Sequence, residues 1–270
     1  MKLSIFFDHI LQAQEQSGKS VETLLSEVRA SGIEAVEINL TYLIEHEDVL
    51  DVLAQNDLGV SCIYEFYDMG RCNETEKSRR HVETAVKVGA KRILVVPGFL
   101  FGEASEQMQK CMPDAQKIAA FFEKKEEINR MAAGLSFVAK LGREKGVAVT
   151  VEDFDDRNSP LAGMYGIHWF LQQVPELWYT LDTGNFLFYG EKVQEALELL
   201  KARIAHVHCK DRSPENHASV QTGSGYIPFA EILDKLKQQN YDGYLAIEHF
   251  DVEGQEECME KSAEFLRRMV

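Results

Sequence analysis

Four strand-like runs in the second half of the chain each bring an ionisable residue to their C-terminal end: Glu152 in GVAVTVED, Asp182 in LWYTLD, His208 in RIAHVHCKD and Glu248 in GYLAIEH. Three carboxylates and one imidazole at the tips of four strands make a cage for a single divalent cation. Carboxylates buried close together repel and raise one another's pKa, and a shared proton or a cation removes that penalty. Oxygen donors with one imidazole suit a hard-to-borderline ion such as Mn²⁺, Mg²⁺, Co²⁺ or Zn²⁺. No cysteine shares their face, which disfavours a structural zinc site. An ion that prefers six ligands and receives four from protein keeps two positions for water or substrate oxygens. Open positions mean catalysis.

Strand alternation tests whether the four can meet, because side chains along a strand point to opposite faces in turn. Ala148, Thr150 and Glu152 share one face, opposite Val147, Val149 and Val151. Trp178, Thr180 and Asp182 fall together, as do Ile204, His206, His208 and Lys210, and as do Tyr244, Ala246 and Glu248. All four candidates are therefore on one consistent inner face, near the last inward position. Adjacent strands lie about 4.8 Å apart, so neighbouring tips converge without distortion. His206 sits one layer deeper than His208 and reads as a hydrogen-bonded core histidine or a substrate contact. His9, His46, His81, His168, His217 and His249 have no spacing that marks them as ligands.

The elements that must position these residues repeat eight times: a β-branched or aromatic run, then a stretch with helical periodicity. The runs are KLSIFF, IEAVEIN, VSCIYEF, RILVVPG, VAVTVED, WYTLD, RIAHVHC and YLAIEHF. Ser20 before VETLL resembles a helix start, and Gly32, Gly89 and Gly146 stand where helices should stop. Alternation of this kind implies parallel strands and right-handed crossovers. Eight units close a barrel, so the expected fold is a single (β/α)8 TIM barrel spanning residues 1–270, with no linker dividing it. An open doubly wound sheet fits less well, since no glycine-rich phosphate turn follows the first strand. Two long segments, 98–113 and 212–228, lie on the side where barrel enzymes keep their active sites. The first is either a greasy surface loop with a short helix or a lid in which Phe99, Leu100, Phe101 and Met108 cover substrate.

Composition narrows the partners. Lys and Arg number 29 against 44 Asp and Glu, a net charge of −15 that repels polyanions, and no basic cluster is long enough for a nucleic-acid groove. No apolar run is long enough to span a membrane, and MKLSIFFDHI lacks the features of a secretory signal. Five widely spaced cysteines without a CxxC pair read as reduced thiols in a cytoplasm.

VEDFDDRNSPLAG, TLDTGNF, HVHCKD and AIEHF, and more loosely GIEAVEI and RILVVPG, make the chain resemble the xylose-isomerase-like TIM barrels, the sugar phosphate isomerases and epimerases that include ketose 3-epimerases. The resemblance covers nearly the whole chain. It implies that Glu152, Asp182, His208 and Glu248 hold one divalent metal and that Glu152 and Glu248 are the acid/base pair. It also implies that a homodimer is the form to expect, since such barrels commonly pair. Where sugar epimerases often carry a histidine three residues after the aspartate, this chain has Asn185, which can hydrogen-bond a hydroxyl but transfers no proton. Lys210 and Arg212 add positive charge suited to a substrate phosphate or carboxylate, unless Lys210 pairs with Asp211.

The expected chemistry is proton transfer next to a carbonyl of a sugar or sugar phosphate through a metal-stabilised enediolate, giving an isomerase or epimerase of carbohydrate metabolism. The alternative keeps the site and expels a β-hydroxyl, making the protein a dehydratase or lyase on a cyclitol or keto-acid. An apurinic endonuclease of the same fold would need further histidines from the early strands and sits badly with the net charge. The remote non-enzyme reading is a binding subunit that retains barrel and metal without turnover.

Overall fold

The computed structural model describes all 270 residues. Nine strands run in chain order: β1 (Lys2–Phe6), β2 (Ala35–Asn39), β3 (Gly59–Phe66), β4 (Arg92–Val96), β5 (Ala148–Glu152), β6 (Trp178–Asp182), β7 (Ile204–Arg212), β8 (Ser219–Val220) and β9 (Tyr244–Glu248). Eight match the runs read from sequence, and each of those eight is followed along the chain by at least one helix before the next. The ninth, β8, is a two-residue strand inside the segment expected to be a loop. It pairs antiparallel with the end of β7, Asp211 opposite Val220 and Arg212 opposite Ser219.

Two compact units divide the contacts, Met1–Ile63 with His206–Val270, and Tyr64–Ala205. In the first, β1 pairs in parallel with β2 and β9, and β9 pairs in parallel with β7. The register sets Phe6 beside Glu37, Ser4 beside Ala246, and Lys210 beside Glu248. Helix Val21–Ala30 begins where expected, with the Ser20 hydroxyl accepting the Thr23 N–H at 3.3 Å. The long helices Phe7–Ser17 and Gln255–Arg267 bury apolar stripes that include Ile10, Ala13, Met259, Ala263 and Leu266. In the second unit β4, β5 and β6 are parallel, Thr150 lying beside both Leu94 and Trp178. Its helices Thr75–Val88 and Glu126–Lys145 both stop at a glycine in the left-handed region, Gly89 (φ 76°) and Gly146 (φ 72°), where a side chain would be strained. Phe122, Trp169 and Phe170 pack edge-on or tilted with ring centroids 5.1–5.8 Å apart, so truncating Phe122 should cost about 3–5 kcal/mol.

Segment 98–113 carries the short helix that one of its two readings expected. It contains the helix Gly102–Cys111, and Leu100 and Met108 are fully buried, anchoring the segment in the core of its own unit. Phe101 stays exposed against the Arg71 guanidinium, 4.5 Å from the ring centroid. No helix is long and apolar enough to cross a membrane.

The first unit also buries a pair of stacked imidazoles, His9 and His249, with centroids 4.7 Å apart. His9 Nε2 accepts the His249 backbone N–H at 3.0 Å, so a proton on that nitrogen would set two donors against each other. Burial, and then the neighbouring His249, push the His9 pKa well below the imidazole range, although the Glu248 carboxylate pulls the other way; burial takes His249 down to about 4. The unfolded chain therefore binds protons that the fold refuses. Stability contributed by these rings is fully present above an ordinary imidazole pKa of about 6.5 and is lost as pH falls below it, at up to about 1.4 kcal/mol per pH unit for each proton. Urea midpoints measured from about pH 8 to about pH 5 should drop on the acid side. His9→Gln should flatten that slope in part, and a midpoint indifferent to pH in this window would refute buried neutral rings.

Candidate functional site

In the second unit, Glu152 and Asp182 end neighbouring parallel strands, and Glu152 is in register with Thr180. Alternation places Thr150, Glu152, Thr180 and Asp182 on one face, and a hydrogen bond of 2.8 Å from Thr180 Oγ1 to Thr150 Oγ1 shows that face to be internal. Asp182 is fully buried and Glu152 is 8% exposed. The Asp182 carboxylate organises the turn that follows it, its Oδ1 accepting the N–H groups of Gly184 (2.7 Å) and Asn185 (2.9 Å). Asp153, one residue past Glu152 and of opposite parity, accepts the Tyr179 hydroxyl at 2.5 Å and the Asp182 N–H at 2.9 Å. Burial, followed by the nearby Asp182 charge, drives the Asp153 carboxyl well above the usual range despite those bonds. Asn185, expected to contact substrate, is 1% exposed, and its amide donates to the Asp153 carbonyl at 2.8 Å, so it fastens the β6 turn to the end of β5.

In the first unit, His206, His208 and Lys210 alternate inward along β7 and meet two carboxylates. Glu37 Oε2, from the middle of β2, lies 2.8 Å from His206 Nε2 and 3.1 Å from His208 Nε2. Those three residues are all buried, with candidate ligand atoms within 4.8 Å of one another. Burial alone would raise the Glu37 pKa, and the two imidazoles reverse that and hold it at about 2. His208 Nδ1 lies 3.1 Å from Glu248 Oε2, and Lys210 Nζ lies 2.6 Å from Glu248 Oε1. Burial again opposes ionisation of Glu248, and Lys210 and His208 overcome it, keeping the carboxyl well below its ordinary range.

The pairing of Lys210 with Asp211, suggested by their adjacency in the chain, does not form. Asp211 points the other way and accepts four backbone N–H groups, those of Arg212 (2.9 Å), Gly223 (2.9 Å), Gly225 (2.9 Å) and Ile227 (3.1 Å). It is the peg on which segment 212–228 is wound. Arg212 is also largely buried, and one of its guanidinium nitrogens donates to the His217 carbonyl at 3.3 Å. His206, read as core or substrate contact, is fully buried against Glu37. Glu37 and Asp153 went unnoticed in the sequence, and Asp211 was considered only as a partner for Lys210. The available signal for Glu37 was an acid in phase with Ala35 and Asn39 between the apolar Val36 and Ile38.

Residues 25–269 match the family described as xylose isomerase-like TIM barrel, and the chain belongs to that family. Its fold is thus the (β/α)8 barrel that the eightfold repeat implied. A curated relative, the inosose dehydratase of Clostridium botulinum (strain Alaska E43 / Type E3), is 24% identical over 257 residues, covering 84% of this chain and 81% of that protein. Among solved structures, the probable 3-DHS dehydratase AsbF from Bacillus anthracis matches with a TM-score of 0.72 at 17% identity, covering 99% of each chain. D-Psicose 3-epimerase from Clostridium cellulolyticum H10 matches with a TM-score of 0.73 at 15% identity, covering 100% of this chain and 99% of that one. At such identities the structures establish the shared fold.

Replacing Asp211 with alanine removes one acceptor from four backbone donors and should destabilise the protein by about 2–4 kcal/mol. Amide hydrogen exchange across 213–227 should accelerate well before global unfolding. Unchanged protection in that segment would show that Asp211 does not organise it.

Proposed function

We propose that the protein is a divalent-cation-dependent enzyme that moves a proton next to the carbonyl of a cyclitol or sugar, and that elimination of water is its principal outcome. The ligands on this reading are Glu152 and Asp182 from the second unit and His208 and Glu248 from the first, each of them buried. The observation that carries it is the His208–Glu248 edge. Two ligand atoms bound at about 2.1 Å and at right angles lie about 3 Å apart, and His208 Nδ1 and Glu248 Oε2 are 3.1 Å apart, both buried. Oxygen donors with one imidazole suit Mn²⁺, Mg²⁺, Co²⁺ or Zn²⁺. When bound, such an ion supplies Lewis-acid polarisation of the substrate carbonyl.

The chain's own groups supply the rest. Glu152 and Glu248 stand at strand ends as carboxylates able to take a proton from carbon and return one, a role worth roughly 10²–10⁴-fold. Lys210 Nζ, 2.6 Å from Glu248 Oε1, keeps that carboxylate ionised and places an N–H donor where a departing hydroxyl could be protonated. Its place beside the base, with an inosose dehydratase as a relative over most of both chains, favours dehydration, reversing the order expected from sequence. Epimerisation is the second reading, supported by the two glutamates and by the fold shared with D-psicose 3-epimerase. Five free cysteines support a reducing cytoplasm as the compartment.

Incubation with Mn²⁺ and a panel of inososes and ketoses in deuterated water separates the outcomes. Dehydration gives a product lighter by one water, and epimerisation gives a deuterated isomer of the substrate. Glu152→Gln and Glu248→Gln should each lose at least about 10²-fold in kcat, and chelation by EDTA should abolish turnover until Mn²⁺ is restored. Full turnover by Glu152→Gln, or by the chelated protein, defeats the proposal.

A further inference from the structure

We infer that Glu37 is a positioning residue: it fixes the tautomer of His208 and thereby turns Nδ1, the nitrogen facing Glu248, into the ligand atom. The ligand being a cation rests on the function proposed above, whereas the tautomer rests on geometry alone. A carboxylate only accepts hydrogen bonds. Glu37 Oε2 lies 2.8 Å from His206 Nε2 and 3.1 Å from His208 Nε2, so both Nε2 atoms carry hydrogen. The proton of a neutral His208 ring is then accounted for, and its lone pair sits on Nδ1, the atom 3.1 Å from Glu248 Oε2.

Three features hold Glu37 to this task. Its strand is pinned beside β1 by the Phe6–Glu37 register, and its flanking residues Val36 and Ile38 are buried. His206 grips the same oxygen from one layer deeper, which prevents the carboxylate from swinging away with the His208 ring. Phe6 packs edge-on against the His208 ring, centroids 4.9 Å apart, and limits its rotation. A carboxylate buried this deeply is destabilising unless its partners compensate it, and its partners here are two imidazoles, one of them a proposed ligand. Carboxylates that orient a ligating imidazole in this way typically change metal affinity by 10–100-fold when removed.

Long-range ¹H–¹⁵N correlation spectra of the cation-free, ¹⁵N-labelled protein report which ring nitrogens of each histidine carry hydrogen. Nε2 of both His206 and His208 should be protonated in the wild type. In Glu37→Gln, whose single carbonyl oxygen is a weaker acceptor for two donors, His208 should show mixed protonation, and Mn²⁺ titrated by calorimetry or electron paramagnetic resonance should bind about 10–100-fold more weakly. A wild-type His208 bare at Nε2 overturns the inference, and does so even if Glu37→Gln fails to fold. So does a folded Glu37→Gln that binds Mn²⁺ as tightly as the wild type. A wild type with Nε2 protonated that binds no Mn²⁺ overturns the proposed function and leaves the tautomer assignment supported.

Discussion

A carboxylate withdrawn from water must be neutralised where it lies, and this requirement organises the interior of both units. Glu37 accepts hydrogen bonds from two imidazoles, and Glu248 is paired with the Lys210 ammonium. Asp153 meets it differently: with a tyrosine hydroxyl and a backbone N–H as partners, its carboxyl is pushed toward the protonated form. Removing one partner from such a group leaves an uncompensated charge, typically a loss of about 3–5 kcal/mol. Each acid therefore dictates the identity of its neighbours on the adjoining strand. His206, His208 and Lys210 alternate along β7 because Glu37 on β2 and Glu248 on β9 need them at those levels.

Alternation is what made so much of this legible from the sequence. Parity follows from strand geometry and survives any detail of packing, so the inward sets on the fifth to eighth runs could be written down directly. The Thr150–Thr180 and Lys210–Glu248 contacts confirm that phase within each unit. Helix ends were equally readable at Ser20, Gly89 and Gly146, where the chemistry of a cap is local to three or four residues.

Partners distant along the chain were harder to see. Glu37 and His206 are 169 residues apart, and nothing near either one names the other. A lysine beside an aspartate suggests a pair, yet neighbours on a strand point to opposite faces, so Lys210 turns inward to Glu248 while Asp211 turns to the backbone of its own loop. The same alternation that identified the inner set could have ruled that pairing out. Segment 98–113 stayed open between two readings for a different reason. Apolar residues in a long loop serve equally as lid or anchor, and only burial distinguishes them, as Leu100 and Met108 show.

The fate of the cationic side chains bears on the kind of substrate the proposed site would take. Lys210 and Arg212 suggested a phosphate or carboxylate on the substrate while they were known only as positive residues at a strand tip. Lys210 is instead held 2.6 Å from Glu248 in a buried pair, and Arg212 is largely buried with a nitrogen on the His217 carbonyl. Drawing Lys210 onto a phosphate would strip Glu248 of the ammonium that keeps it ionised, at roughly the 3–5 kcal/mol of a broken buried pair. The acid on which proton transfer depends would be weakened by the act of binding. An uncharged polyol avoids that conflict, since hydroxyl and carbonyl oxygens can enter the site while the Lys210–Glu248 pair stays intact. If the proposed function holds, the buried pair would select for neutral cyclitols and sugars over their phosphates.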